Sequence, residues 1–236
     1  MKCTAFACRV TAVLALLGAT AAGAASIEVS PVIHRLAPAR SALAMTVSNR
    51  GSEPVMVQLR PYDWTQDAGG DRLEPAPDVI VSPPMVSLEP GGQQVVRAWF
   101  PAAAPAHGRA WRMLIDEIPT AEGGGEPVRV ALRLSVPVFR AAARPEPAGA
   151  VWTIDAATRR LSVANTGGDW LRLRALSLTD ARGATLHPAA AGTSYVLPGA
   201  RRAWSLAEAP LRPGDTLRLS AQTDAGPLDV PVVVRP

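Results

Sequence analysis

The sequence predicts an all-β chain made of two β-sandwich domains. Three observations carry this reading. Beyond residue 25 no long apolar stripe of helical period appears. Short stretches of alternating apolar and polar residues recur about every ten residues, set apart by Pro, Gly, Asn and Asp. The pattern also runs twice, on either side of a proline-bearing joint at residues 141–149.

The N-terminus reads differently. Lys2 and Arg9 precede an apolar run from Val10 to Leu17 and a small-residue stretch from Gly18 to Ala25. This is the layout of a secretory signal peptide, residues 1–24, with Ala22-Gly23-Ala24 as the small-x-small site before Ala25. The run is too short to cross a bilayer, which takes about 20 apolar residues, so export without stable membrane insertion is expected. Both cysteines, Cys3 and Cys8, fall inside this segment. The mature chain is therefore expected to have no disulfide and no lipid anchor.

Seven strands are expected in the first domain, residues 25–140. They lie near Ile27 to Arg35, Ala42 to Ser48, Val55 to Trp64, Val79 to Ser82, Gln93 to Phe100, Ala110 to Ile118 and Val128 to Phe139. Seven short antiparallel strands in about 115 residues suit an immunoglobulin-like sandwich. Pro145 and Pro147 make residues 141–149 a short, stiff linker. The second domain, residues 150–236, repeats the theme near Val151 to Ile154, Arg160 to Ala164, Leu171 to Thr179, Thr193 to Leu197, Arg202 to Leu206, Thr216 to Gln222 and Leu228 to Val234.

The stretch from Val128 to Phe139 stands out. Val128, Val130, Leu132, Leu134, Val136 and Val138 share one face of a strand, and Arg129, Ala131, Arg133, Ser135 and Pro137 the other. Such a strand spans roughly 35 Å, more than one small domain's core needs. Two readings stand open: a long sandwich strand, or an edge strand whose apolar row also serves another protein. Pro137 favours the edge, because proline is excluded from central strands. An exposed apolar edge invites aggregation, so its retention calls for a partner that adds a strand to it.

Charge excludes some functions. Removing Lys2 and Arg9 lowers the formal charge from +4 to +2, and every remaining fixed cation is arginine, scattered along strands. No nucleic-acid footprint follows from that distribution. His34, His107 and His187 lie far apart, without metal-ligand spacing, and His34 is expected to face solvent. No nucleophile elbow or phosphate loop is present, and Gly69-Gly70 and Gly123-Gly124-Gly125 read as turns. Asp116 and Glu117 point to opposite faces of a strand and cannot flank one glycosidic bond. No enzyme, no metal and no cofactor is expected. Six tryptophans, Trp64, Trp99, Trp111, Trp152, Trp170 and Trp204, keep a rival class open: a secreted carbohydrate-binding or adhesin-type module.

The run Ser82-Pro83-Pro84-Met85-Val86-Ser87-Leu88-Glu89-Pro90-Gly91, with Arg97 on the following strand, resembles the signature of periplasmic pilus (fimbrial) assembly chaperones, the PapD-like family. Val29-Ser30-Pro31, Val47-Ser48-Asn49, Asp116-Glu117-Ile118-Pro119, Val163-Ala164-Asn165 and Leu197-Pro198-Gly199 extend the resemblance over the mature chain. It implies two immunoglobulin-like sandwiches in an L or boomerang, a periplasmic location, and fibre subunits and an outer-membrane usher as partners. Whether the free chaperone self-associates stays open. The row from Val128 to Val138 would be the strand donated to the subunit.

The resemblance also implies an arginine and a lysine in the cleft that hold the subunit's C-terminal carboxylate. Here the sequence departs from the family, because Ile33 and Pro137 stand at or near those positions and no lysine follows Lys2. Arg35 and Arg133 are the substitutes expected, with solvated strand arginines as the other reading. A hinge cluster is implied between Arg140, Glu117 and Asp224, joined by Arg97. The short connection between Ile118 and Val128, without cysteine, places the chain among relatives with a short loop there.

Overall fold

The chain enters its first sheet and leaves it again within four residues. In the computed structural model, which describes residues 27–67, 70–101, 108–119, 131–142, 146–189, 192–206 and 211–236, all regular structure is β-strand. Strand β1 (Ile27–Ser30) pairs antiparallel with β3 (Ala42–Asn49). Pro31 has no N–H to continue that ladder, and the chain crosses to the opposite sheet as β2 (His34–Leu36). The single first strand expected from Ile27 to Arg35 is thus two strands in two sheets.

The first sheet runs β1-β3-β8-β6, with β8 at Gln93–Trp99 and the edge strand β6 at Ile80–Ser82. The second runs β2-β10-β9-β4-β5, where β4 is Val55–Asp67, β5 Gly70–Pro75, β9 Arg109–Ile118 and β10 Arg133–Arg140; β7 (Met85–Leu88) pairs with β4. Met45, Val47, Val57, Leu59, Val96, Trp111, Met113, Ile115, Val136 and Val138 are buried between the two sheets. Each contributes about 1.5–3 kcal/mol by leaving water. Three elements differ from expectation, one of them β10, which begins at Arg133 with the described residues Ala131 and Leu132 outside any strand. The strand from Val55 runs on past Trp64 to Asp67 and returns as the hairpin strand β5. Met85–Leu88, outside the seven expected strands, is a strand because Pro83 and Pro84 interrupt only the residues before it.

The second half forms one path, β14-β13-β17-β18-β11-β12-β16, with β15 on β13. The strands are β11 (Ala150–Asp155), β12 (Arg160–Asn165), β13 (Leu171–Thr179), β14 (Thr185–Leu186), β15 (Ser194–Val196), β16 (Arg201–Ser205), β17 (Thr216–Thr223) and β18 (Gly226–Arg235). β18 meets β11 only at Ile154–Val234 and Asp155–Arg235, so the path folds into two layers joined at one end. Ile154, Leu161, Leu173, Leu178, Val196 and Leu219 fill the space between them.

Both halves close with the same device. Asn49 ends β3, is fully buried, and donates its amide to the carbonyls of Glu53 (2.7 Å) and Leu88 (3.1 Å). Asn165 ends β12 and donates likewise to Asp169 (2.7 Å) and Val196 (2.9 Å). Each asparagine backbone also grips the next Pro-Gly turn: the Gly91 N–H donates to Asn49 and the Gly199 N–H to Asn165, both at 3.0 Å. Gly91 and Gly199 have the same φ of 74°, a left-handed backbone that glycine adopts without steric cost.

Two buried polar residues of the first half depart from expectation. His34 is buried, 7% exposed, with its Nε2 unpartnered, while its neighbour Arg35 faces out. Strand alternation places the two on opposite faces without saying which face is the core, and burial of His34 overturns the solvent-facing position expected of it. Arg140 is also buried. Its guanidinium donates to the carbonyls of Pro101 and Arg40 and lies 5.5 Å from the Trp111 ring, tying two loops to the end of β10. Arg140→Ala leaves two part-buried carbonyls without their donor and a gap beside Trp111, and a loss of about 3 kcal/mol is expected in urea unfolding followed by tryptophan fluorescence.

Burial also lowers the pKa of His34 from its ordinary value. The unfolded chain then takes up a proton near pH 6.5 that the folded chain refuses. Stability is expected to be full above about pH 6.5 and to fall as the pH drops toward the lower folded pKa. His34→Gln should flatten that slope in unfolding curves measured from pH 7 to 5, and an unchanged slope would place its origin in another group.

Candidate functional site

An antiparallel strand turns the backbone N–H and C=O of alternate residues toward opposite neighbours. On β10 the parity is set just before the strand, where the Glu117 N–H donates to the Leu132 carbonyl at 2.9 Å. Leu132, Leu134, Val136, Val138 and Arg140 therefore turn their peptide groups to β9. Arg133, Ser135, Pro137 and Phe139 turn theirs outward. On that outer side β2 registers parallel with Val138–Arg140 only, and the Ala141 N–H reaches the Leu36 carbonyl at 3.4 Å. Among the described residues no strand pairs with the outer edge at Arg133 or Ser135, and the Val138–His34 pairing takes up the outward Pro137 carbonyl. The missing N–H of Pro137 points to this edge, so the ladder with β9 runs unbroken through the proline.

The apolar row divides along its length. Val136 and Val138 are buried in the first domain's core, and Leu132 and Leu134 lie partly buried against it. Val128 and Val130 lie outside the described residues, as do residues 123–125 and the first 26.

One face of the β2-β10-β9-β4 sheet carries a row of arginines: Arg35 on β2, Arg133 on β10, Arg112 on β9 and Arg60 on β4. Trp64, Ala110 and Phe139 at the end of this face pack into the second domain's core cluster. The structure does not bring Arg35 and Arg133 together. Arg35 is level with Phe139, six residues along β10 from Arg133, which is about 20 Å of strand. Arg35 instead pairs with Asp224 and lies 5.0 Å from the Trp170 ring. Arg133 pairs with Asp116, which also accepts from Arg60 Nη2 at 2.6 Å and Nε at 3.1 Å. Burial alone would raise the Asp116 carboxyl, but these arginine hydrogen bonds outweigh it and hold the pKa below the ordinary value.

The cation missed at the sequence level is Arg112. Its guanidinium sits 3.7 Å from the Trp64 ring centroid and 5.5 Å from that of Tyr195, partly withdrawn from water. It makes no ion pair among the described residues, although Asp71 and Arg202 both act on it electrostatically. The alternation Trp111, Met113, Ile115 against Arg112, Leu114, Asp116 was the available signal. Two bulky aromatics around one arginine could not be read from spacing.

The hinge residues do not converge. Arg140 is committed to loop carbonyls, Glu117 accepts from the Leu132 N–H at 3.1 Å, and Arg97 is exposed on β8. Of the four only Asp224 spans the two halves, between Arg35 and Arg172, the latter at 3.6 Å. Arg140 cannot reach it because β10 turns that side chain inward. The linker has its own anchor. A Cβ on Gly167 would fall 2.0 Å from the Pro147 carbonyl oxygen, so only glycine admits the chain there.

The seam carries an open pocket of about 310 Å³ beside Trp64, Gln66, Phe139 and Trp170. A larger one of about 510 Å³ lies by Arg35, Asp169, Arg172 and Asp224. No group of His, Cys, Asp or Glu suited to a metal occurs among the described residues. The tryptophans form no stripe: Trp64, Trp111 and Trp204 are buried, Trp152 and Trp170 half-buried, and Trp99 alone of the six is exposed. A flat sugar platform has no support in that distribution.

Residues 26–146, just over half the chain, match the family described as pili and flagellar-assembly chaperone, PapD N-terminal domain. No curated protein sequence matches the chain. Solved structures share the fold at low identity. The CsuC–CsuE chaperone–tip adhesion subunit pre-assembly complex, from archaic chaperone–usher Csu pili of Acinetobacter baumannii, matches with a TM-score of 0.65 and 18% identity over 90% of this chain and 100% of that one. The SafA pilin–SafB chaperone complex of Salmonella enterica gives 0.62 and 18% over 88% and 96%. The E. coli chaperone DraB gives 0.61 and 18% over 87% and 96%.

Proposed function

The chain belongs to the pili and flagellar-assembly chaperones, and from that premise we propose that it holds a fibre subunit in the periplasm by strand addition along β10, then yields it to an outer-membrane usher. Relatives of the same fold were solved with a tip adhesion subunit and with a pilin. Chaperone–pilin pairing is itself a standing example of strand addition. The family is one of assembly factors and not of enzymes.

The single observation that supports this reading is the open outer edge of β10. Arg133 and Ser135 offer complete N–H and C=O pairs there. The comparable edge on the second domain is poorer. Val234 bonds on the β17 side, to Asp215 and Gly214, so the odd-numbered residues of β18 face out, and both Pro227 and Pro231 are among them. Two prolines in five residues deny that edge its donors. The first domain holds the better template. The half-buried Leu132 and Leu134, with Val130 and Val128 before them, supply the apolar row that a subunit lacking a strand would accept. No nucleotide is needed, because a better-fitting strand from the next subunit replaces the chaperone's downhill.

For the subunit's terminal carboxylate, Arg112 is the receptor that the geometry favours over an Arg35–Arg133 pair. It lies level with Pro137 on the adjacent strand, where the family's lysine is missing, and among the described residues it forms no ion pair, with Asp71 acting on it only at longer range. Hydrogen bonds from an arginine to a carboxylate contribute about 1.5–3 kcal/mol.

The edge parity supplies the test. Ser135→Pro removes an outward N–H and spares the β9 ladder, so the chaperone should fold with unchanged circular dichroism and lose subunit in a periplasmic pull-down. Leu134→Pro removes a donor from the β9 ladder itself and should lower stability by about 1–3 kcal/mol. Leu132→Arg should also abolish co-purification with subunit. Retention of subunit by both Ser135→Pro and Leu132→Arg would place the binding strand elsewhere. Arg112→Ala should weaken the complex at least tenfold, with Arg35→Ala and Arg133→Ala each costing less.

A further inference from the structure

We propose that Gln66 is a positioning residue that locks the two domains in register and so sets the cleft in which the partner lies; the second half of this claim rests on the strand-addition reading above. Gln66 stands near the end of β4, on the β4–β5 hairpin, which reaches across the seam to the second domain. Its side-chain amide completes a backbone pattern. Nε2 donates to the Tyr195 carbonyl at 2.9 Å, and Oε1 accepts from the Leu197 N–H at 2.8 Å. A neighbouring strand would bond to residues i and i+2 in this way. One side chain therefore stands in for a strand on β15.

The orientation of the amide is not ambiguous. Its nitrogen faces two acceptors, the Tyr195 carbonyl and Asp71 Oδ1 at 2.7 Å, and its oxygen faces one N–H donor. A flipped amide would oppose three like groups. Asp71 is in turn 3.5 Å from Arg202 Nη1 on β16, so the hairpin is tied to the second domain at two points.

The lock leads to the cleft. Tyr195, whose carbonyl Gln66 holds, packs its ring edge-on to Trp64 at 5.7 Å and 5.5 Å from the Arg112 guanidinium. Moving β15 relative to β4 shifts one wall of the arginine's aromatic slot. The apolar seam around Trp64, Phe139 and Trp170 supplies attraction without direction, whereas paired hydrogen bonds fix the register. Gln66 thereby assumes the orienting role that the hinge cluster of Arg140, Glu117 and Asp224 was expected to fill.

The test measures domain placement in the free chain. Spin labels on Gln94→Cys and Arg182→Cys, exposed positions in the first and second domains, report an interdomain distance distribution by pulsed dipolar spectroscopy. In the parent chain the distribution should be narrow, and Gln66→Ala should broaden it about twofold, because unlocked domains move by default. Gln66→Glu keeps size and acceptor but faces Asp71 and the Tyr195 carbonyl without a donor. It should be as broad at pH 7.5 and narrow again near pH 5, as the raised carboxyl takes up a proton. Subunit affinity should fall about tenfold in Gln66→Ala. An unchanged distribution in both variants overturns the lock. A broadened distribution with unchanged affinity overturns its role in setting the cleft and leaves strand addition standing. Failure of the parent chain to bind subunit at all would sink the strand-addition reading, while the spin-label result still decides the lock.

Discussion

Each peptide group of β10 can satisfy one neighbour, and the parity of that strand constrains much of the molecule. The even residues are spent on β9. The odd ones have only what the chain brings back to that side, and it brings three residues of β2. That short return exists because the first strand leaves its sheet at Pro31. A longer β2 would have closed the edge and made a sealed sandwich. A shorter one would have left Phe139 and Ala141 unpaired beside the seam. The extent of open edge is therefore set by where a proline near the N-terminus ends the first ladder.

The same parity explains the positions of the charged side chains. With even residues facing the core, Arg140 must be buried, and it is satisfied by loop carbonyls rather than by carboxylates across the seam. Odd residues face the second domain, which puts Phe139 in the aromatic cluster and Arg133 on the cleft wall beside Asp116. The exposed ion pairs along that wall contribute little stability individually, on the order of 0–1 kcal/mol. Their consequence is positional. They occupy Arg35, Arg60 and Arg133 with the chain's own carboxylates, whereas the aromatic-flanked Arg112 on the same face forms no ion pair among the described residues.

Strand periodicity made most of the framework legible from the residues alone. The alternation from Val128 to Val138 and the Pro-Gly turns at Gly91 and Gly199 mark the edge strand and the closure of each half, because period two and positive φ are local properties. What escaped was nonlocal. His34 and Arg35 alternate as any strand does, but which of them is buried depends on the sheet the strand joins after Pro31. The continuation of β4 into a hairpin carries no apolar signal, since its value lies in what Gln66 meets 129 residues later. Arg112 becomes distinctive only when Trp64 and Tyr195, from different domains, close around it.

An aromatic seam and a polar latch solve different parts of one problem. Two sandwiches joined by a short linker need both attraction and register to keep a fixed angle. Burying Trp64, Phe139, Trp170 and Tyr195 together holds the halves in contact, yet stacked rings tolerate sliding, as the spread of their interplanar angles from 11° to 86° illustrates. Directional bonds must supply the register, and charges at the cleft mouth are poorly suited to that task because solvent and partner carboxylates compete for them. A neutral amide bonded to backbone escapes that competition. The asparagines that close each domain use the same chemistry, with Asn49 and Asn165 donating to backbone carbonyls in the interior. The framework thus relies on uncharged amide–backbone contacts within and between domains.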